Sequence, residues 1–574
     1  MKKIPLPVAA TTTAAVTVLA LAGTHIAPAG AAQSTAPAAP TAATADDAVT
    51  HKDNQRVPKG AAWTQHYFPS SDGSGTDLHA DVLLPEDLPR GKKVPVILSV
   101  GAYFGHSGEL TDEKWKKTGP SGRFKDLVEG GDLFERGYAL VQVDLRGFGG
   151  SSGCLDYMGK GEQADVKAAI DWAAKQPWST GKVGMYGKSY DATTGLVGNN
   201  LDQDALKAVV AQEPVWDMYR LTRSNRVPKL GGVLAPNTYN QVAQLPPLPD
   251  DQKRYKKNNQ YELKHPECAA YNTDNNLKAD PDDPYWRQRD LAKQAKGSDT
   301  LLFFTQGFIE SNTTPEAMQE YLAGHKGTER AWLGQWDHVR GNSRTEDGRL
   351  EMGRPNWFKE VMSFYDQQLK GTDPTTDHPA FAIQDSTGTW RAQDTWPESD
   401  RSADVPLRDG SYVDKGEPGD SASHLTWSEP VERDVRVTGT PRIRMDTEGS
   451  GNVMVKLYDA APDGSAVMFD QQVAMADGSG RVAVDLKSTD WRLKAGHSLA
   501  VEIGTVQDGA WIDTPTGDRI KVSDAHLSLS VDNPADDTAA EGKRSPYLDT
   551  YVKMYTKKEL PTRAPSFTVP AARD

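Results

Sequence analysis

Only two cysteines stand among the 574 residues, basic residues are in the minority, and beyond the N-terminal segment no run is long and apolar enough to span a membrane. Each shortage excludes something. With 65 Lys and Arg against 79 Asp and Glu, the formal charge is −14. No basic stripe is available to neutralise phosphates, so nucleic acid is not an expected partner. No Cys or His grouping has ligand spacing, so no metal and no other cofactor is expected. The glycine-rich run Leu145–Gly153 lacks the full G-x-G-x-x-G spacing, which argues against a dinucleotide site. There is neither a twin arginine nor a lipid-accepting cysteine near the N-terminus.

What is present at the N-terminus is Lys2 and Lys3, an Ala-rich apolar run to about residue 22, and the small residues Ala29, Gly30 and Ala31. That order of charge, apolar core and small residues predicts a secretory signal peptide over 1–31. The Ala-, Pro- and Thr-rich stretch 32–50 reads as a disordered lead-in, and the mature chain is expected to be secreted. In that compartment one disulfide between Cys154 and Cys268 is expected, with two buried free thiols as the alternative.

The strongest motif is Val183-Gly-Met-Tyr-Gly-Lys-Ser189-Tyr-Asp-Ala192, a serine between a short apolar strand and a small-residue helix start. A sharp strand-to-helix turn lifts such a hydroxyl off the sheet edge and aims the next N–H, that of Tyr190, at a developing oxyanion. A strict G-x-S-x-G would carry glycine at Asp191, which is read instead as a first-turn acid favoured by the helix dipole. Apolar runs at 94–100, 138–144, 206–211, 300–305 and 330–333, with helical spacing at Ala164, Val166, Ala169, Ile170 and Ala173, predict a mainly parallel sheet covered on both faces. A serine nucleophile needs a base and an acid to orient it, in the chain order serine, acid, histidine. Glu310 lies just past one apolar strand and His338 just past the next. Loops at the carboxyl ends of neighbouring parallel strands converge, so both can approach Ser189. Asp337 is the poorer acid, because adjacent turn residues generally point apart.

The Gly-Lys-Ser-Tyr elbow, the Thr305-Gln-Gly-Phe308 strand end with its carboxylate and the Trp336-Asp-His338 loop resemble those of X-prolyl dipeptidyl-peptidases and their relatives, the cocaine-esterase-like and α-amino-acid ester hydrolases. The resemblance spans roughly residue 60 to the C-terminus. It implies an α/β-hydrolase core, a helical cap insertion and a C-terminal β-sandwich of jelly-roll type. It makes Ser189 the nucleophile, His338 the base and acid, Glu310 the orienting carboxylate, and the Tyr103 hydroxyl the second oxyanion donor beside the Tyr190 N–H. The chain departs from that pattern at Ala192 (usually Gly), Glu310 (usually Asp) and Ala102-Tyr103 (usually Pro-Tyr).

Domain boundaries are read from changes of rhythm. Residues 51–215 and 300–372 read as the core, the polar, Pro- and Asn-rich stretch 216–299 as a cap over the site, and 373–574 as the sandwich. A helix is expected from Trp357 to Leu369, stopped by Gly371. Beyond it, apolar residues alternate, as at Val453, Val455 and Leu457 or Leu527, Leu529 and Val531. Trp491 and Trp511 are expected to pack rather than to line a carbohydrate site.

The expected substrate is a peptide or an ester. For an Xaa-Pro dipeptidyl-peptidase, the first reading, the pocket needs an apolar slot and a carboxylate for the N-terminal ammonium. Phe104, Tyr190 and Trp216 are the expected walls, and Glu213 and Asp217 the expected acids. Ester-hydrolase relatives that bind an ammonium place acids two and three residues after the triad acid, where this chain has Asn312 and Thr313. A cocaine-esterase-like acyl esterase is the alternative, with an inactive binding protein and a carbohydrate esterase behind it. The oligomeric state is not legible.

Overall fold

The structure is a computed structural model that describes residues 49–50, 54–108, 115–399, 401–417 and 422–571. The expected signal peptide, and the lead-in up to residue 48, lie outside the described residues.

Short apolar runs form the strands of a central sheet, in chain order β1 (Val49–Thr50), β2 (Ala61–Pro69), β3 (Asp77–Pro85), β4 (Val94–Gly101), β5 (Ala139–Asp144), β6 (Ser179–Lys188) and β7 (Leu206–Gln212). A separate small hairpin comes next, β8 (Arg223–Ser224) and β9 (Val227–Pro228). The central sheet resumes with β10 (Leu301–Gly307), β11 (Glu329–Gly334), β12 (Phe381–Gln384) and β13 (Trp390–Gln393), and ends on a strand at Thr538–Ala539. Its spatial order is β1-β2-β3-β5-β4-β6-β7-β10-β11-β12-β13 and then 538–539. Pairing is parallel from β5 across to β12 and antiparallel on both margins.

The helices are α1 (Lys125–Gly130), α2 (Lys160–Ala174) and α3 (Tyr190–Leu201) in the core. Those between β7 and β10 are α4 (Met218–Thr222), α5 (Leu230–Ala243), α6 (Lys253–Asn259), α7 (Tyr261–Lys264), α8 (Glu267–Asn276), α9 (Pro284–Arg287) and α10 (Leu291–Gln294), and α11 (Met318–Gly324) and α12 (Trp357–Tyr365) come after β10. In β4, Val96, Leu98 and Val100 join Ile170 of α2 and Leu196 of α3 in one core. Ile97, between them, packs with Leu127 of α1 and Val361 of α12 in another. This two-residue alternation, apolar on both faces, is why the parallel strands read as continuous apolar runs. Helix α12 continues as a π-turn over Asp366–Lys370 and ends at Gly371, whose φ of 73° closes it.

Cys154 and Cys268 are joined in a disulfide that ties the loop after β5 to α8. The C-terminal region forms a six-stranded and a five-stranded sheet. Alternating residues of both, among them Ile443, Met445, Val455, Leu457, Val501 and Leu527, meet in a shared core. The expected boundary at 372/373 falls too early. β12 and β13 still extend the central sheet, and the 538–539 strand returns to its edge. Short strands of either sheet look alike in sequence, and pairing partners decide which sheet takes them.

Candidate active site

The carboxyl ends of β6, β7, β10 and β11 lie side by side, with Lys188 opposite Gln212, Gln212 opposite Thr305, and Gly307 opposite Gly334. The loops leaving them carry Ser189, Glu213, Glu310 and His338.

Ser189 joins β6 to α3 with φ 66° and ψ −123°, a left-handed conformation that a side-chain-bearing residue adopts only at a cost of order 1–3 kcal/mol. The turn is tight because Gly187 allows it: a Cβ there would stand 2.2 Å from the Asp191 carbonyl carbon. Tyr190 begins α3, where the first N–H groups have no intrahelical acceptor. Asp191 is indeed a first-turn acid, and it is also buried and paired with the Arg123 guanidinium, which in turn donates to the Lys188 carbonyl at 3.0 Å. Burial raises the Asp191 carboxyl to about 6, with Arg123 pulling the other way. No sequence signal marks Arg123, which lies 68 residues from its partner.

His338 and Glu310 meet directly, His338 Nδ1 lying 2.8 Å from Glu310 Oε1. Glu310 is fully buried and gripped by Thr313, whose N–H donates to Oε1 at 2.6 Å and whose hydroxyl donates to Oε2 at 2.7 Å. Burial raises its carboxyl, but His338 and these donors outweigh it and hold the group well below the usual carboxylate range. Thr313 also reaches toward His338, 3.3 Å from Nδ1, and lines the same cavity as Ser189. The position three residues after Glu310 is therefore a clamp on the acid.

Tyr103, just beyond β4, places its hydroxyl 2.6 Å from that of Tyr239 on α5. The Arg123 guanidinium lies over the Tyr103 ring, 3.9 Å from its centroid. The Tyr190 ring packs against that of Tyr239, 4.6 Å away and tilted by 59°, and its hydroxyl donates to Glu162 Oε2 at 2.8 Å. A cap helix thus supports the hydroxyl that the resemblance gives as an oxyanion donor, and no residue pattern announces Tyr239.

Beside Ser189 lies a cavity of about 210 Å³ walled by Tyr157, Tyr190, Tyr239, Val215, Met218 and Leu221, with Ser311 and Asn312 on its polar side. Ala510, from the C-terminal region, completes the wall. The Leu230 N–H donates to the Ala510 carbonyl at 2.8 Å and the Trp511 indole to Ser224 at 2.9 Å. Trp511 therefore locks the sandwich to the cap. Trp491 is buried, stacked on Phe469.

Of the five expected recognition residues Tyr190 lines the Ser189 cavity, three are displaced by packing, and the fifth faces a different cavity. Phe104 is buried against Phe124 in the core that α1 and α12 cover. Trp216 is buried beneath the site, its indole donating to Gln306 Oε1 at 2.8 Å. Glu213 is fully buried behind Glu310 and accepts from Thr305, Gln306, the Gly307 N–H and Trp336. Burial and the neighbouring Glu310 push it well above the usual carboxylate range despite those donors. Asp217 caps α4, accepting from the Tyr219 N–H at 2.9 Å, and lines a separate cavity toward Gln472 and Arg481. Among the described residues no carboxylate lines the Ser189 cavity. Its one ionic side chain, Lys229, is neutralised by Glu316.

This arrangement defines a serine hydrolase built on an α/β-hydrolase core. The family model described as X-Pro dipeptidyl-peptidase (S15 family) matches residues 72–340. A provisionally named Xaa-Pro dipeptidyl-peptidase of Streptomyces avermitilis is 24% identical over 458 residues, covering 68% of this chain and 63% of that protein. One of Bacillus anthracis, named likewise, is 22% identical, covering 80% and 85%. A provisionally named serine esterase of Mycobacterium bovis is 23% identical over 59% of this chain and 62% of its own. Among solved structures, an aminopeptidase from a Thaumarchaeota archaeon superimposes with TM-score 0.61 at 17% identity, over 82% of this chain and 96% of its own. An α-amino acid ester hydrolase gives 0.58, also at 17% identity, over 82% and 96%. These likenesses fix the fold.

Proposed function

We propose that the protein is a secreted acyl hydrolase that carries its acyl group on Ser189, and that esters of small, uncharged apolar acids are the substrates its cavity fits best. The carrying observation is the small aromatic and aliphatic cavity beside Ser189, in which no described carboxylate faces a substrate ammonium. His338 takes the Ser189 proton during attack and returns it to the leaving alcohol, while Glu310 fixes the ring tautomer through Nδ1. The Tyr190 N–H and the Tyr103 hydroxyl receive the oxyanion. Tyr239 holds the Tyr103 hydroxyl in place through the 2.6 Å hydrogen bond between the two phenols. Secretion is supported by the N-terminal sequence and by the Cys154–Cys268 disulfide.

A second reading is release of N-terminal Xaa-Pro dipeptides, supported by the family model, the named relatives and a slot that suits a proline ring. Turnover of para-nitrophenyl butyrate, Gly-Pro-para-nitroanilide and its N-acetylated form separates the two, with Ser189→Ala as the control. The expected outcome is rapid ester cleavage with slow anilide cleavage that is indifferent to acetylation. Preferential cleavage of the free-amine anilide, lost in Ser189→Ala, replaces the ester reading by the peptidase reading.

A further inference from the structure

Strands β2 and β3 pair Gln65 with Asp81 and Tyr67 with His79. His79 and Asp81, two residues apart on one strand, therefore share a face. His106 reaches the same place from the loop after β4. The Nδ1 atoms of both histidines are held by carboxylates, His79 by Asp144 Oδ2 at 2.8 Å and His106 by Asp251 Oδ1 at 2.6 Å. Their Nε2 atoms turn toward Asp81, 3.3 Å from Oδ2 for His106 and 3.8 Å from Oδ1 for His79. The three side chains are at most 1% exposed, and one donor atom from each lies within 4.8 Å of the others. His106 Nε2 and Asp81 Oδ2 are too poorly aligned to bond each other, and neither makes any hydrogen bond within the protein. On β5, Gln142 sits opposite Asp81 with both side-chain polar atoms buried and unsatisfied, and Ser99 lies beyond it on β4 in the same condition. Such a concentration of unpaired buried polar atoms requires a partner.

We propose that His79 Nε2, His106 Nε2 and the Asp81 carboxylate bind a divalent transition ion of the zinc class. Gln65 Oε1, 3.2 Å from His79 Nε2, faces the same point and is the fourth ligand. Two imidazoles and a carboxylate are a donor set suited to zinc. A carboxylate on each far ring nitrogen is the outer contact that orients a metal-bound histidine and raises its basicity. At bond lengths of about 2.0–2.1 Å, ligand atoms of a tetrahedral site stand roughly 3.3–3.4 Å apart, so the separation of His106 Nε2 from Asp81 Oδ2, 3.3 Å, already fits, and the set as a whole, whose ligand atoms lie within 4.8 Å of one another, draws in on binding. Charge agrees: three aspartates face two imidazoles, and a divalent ion there offsets two of the three negative charges. The site is closed and joins the β2–β3 pair, the loop after β4 and the approach to α6, where Tyr255 stacks on His106 at 4.2 Å. It would brace the cap against the sheet.

The test uses the mature chain without a histidine tag, expressed with zinc, desalted and analysed for metal, then stripped with dipicolinate and titrated with zinc or cobalt chloride. About one equivalent per chain is expected, with a visible d–d band on cobalt loading and a rise in Tm on zinc addition. His106→Phe, which keeps a ring in the site, should lower bound zinc more than tenfold. Folded wild-type protein that holds less than about a tenth of an equivalent, both as isolated and after zinc loading, overturns the proposal in favour of a metal-free ion-pair network. So does zinc retained equally by His106→Phe. Should that variant fail to fold, the wild-type stoichiometry and cobalt spectrum decide alone.

Discussion

Two regions of this molecule hold a histidine by Nδ1 against a carboxylate at nearly the same distance, yet their surroundings suit different work. Beside the Ser189 cavity, His338 lies 2.8 Å from Glu310 with its ring 17% exposed. At the β2–β3 margin, His79 and His106 lie 2.8 and 2.6 Å from Asp144 and Asp251 with their rings sealed from solvent. What differs is the environment of the second ring nitrogen. A part-exposed ring can pass a proton to a reacting group. Two rings sealed beside one buried carboxylate have no reacting group within reach. The histidine–carboxylate pair is a general means of fixing a tautomer, and the surroundings of the other nitrogen decide the use to which that ring is put.

The largest expected effect breaks this comparison at the cavity. Glu310→Gln leaves the size of the side chain unchanged but no longer selects the ring tautomer, so turnover of para-nitrophenyl butyrate should fall about 10³- to 10⁴-fold, while a fluorophosphonate should fail entirely to label Ser189→Ala. A loss of less than about tenfold in Glu310→Gln would mean that this pair, like the buried ones, is structural.

A smaller effect separates the two tyrosines above the site. Tyr103→Phe removes a proposed oxyanion donor and should cost about 100- to 1,000-fold in kcat with little change in KM. Tyr239→Phe removes only the support of that hydroxyl and should cost clearly less, about tenfold. Equal losses in both would shift the donor role to the pair or to Tyr239 itself.

How much of this was legible depends on the range of the contacts. The elbow at Ser189 and the strands that present Ser189, Glu310 and His338 are local patterns, an apolar run and then a turn, and they were readable. So was the alternation at Val453, Val455 and Leu457. Of the recognition residues only Tyr190 was. Glu213 and Asp217 come after β7 in the right place by sequence, but one turns inward behind Glu310 with φ 50° and the other caps a helix. Backbone direction in a turn is not a property of composition. Arg123, Tyr239 and His106 were missed for the complementary reason, since each finds its partner 68, 136 and 145 residues away. The loop after β5 shows the same limit: its glycines suggested a turn, while its neighbours could be seen only after folding.

That loop joins the Ser189 cavity and the buried histidine cluster and gives the smallest expected effect. Its first half supports the buried cluster, with the Gly150 N–H on Asp144 at 2.9 Å and the Ser151 hydroxyl accepting from the His79 N–H at 2.8 Å. Its second half supplies Tyr157 and Met158 to the Ser189 cavity. The disulfide from Cys154 to Cys268, spanning 114 residues, pins it to α8 between those two halves. The Cys154→Ser, Cys268→Ser double variant should lose about 2–4 kcal/mol of unfolding free energy in guanidinium titrations, because closing so long a loop mainly restricts the unfolded chain. Its turnover at 25 °C should stay within about twofold, because the loop remains fastened by the Glu262 carboxylate on the Leu155 N–H and by the Arg289 guanidinium on the Asp156 and Tyr157 carbonyls. A variant that keeps its stability but loses turnover would show the opposite division, with the disulfide shaping the cavity rather than constraining the unfolded chain.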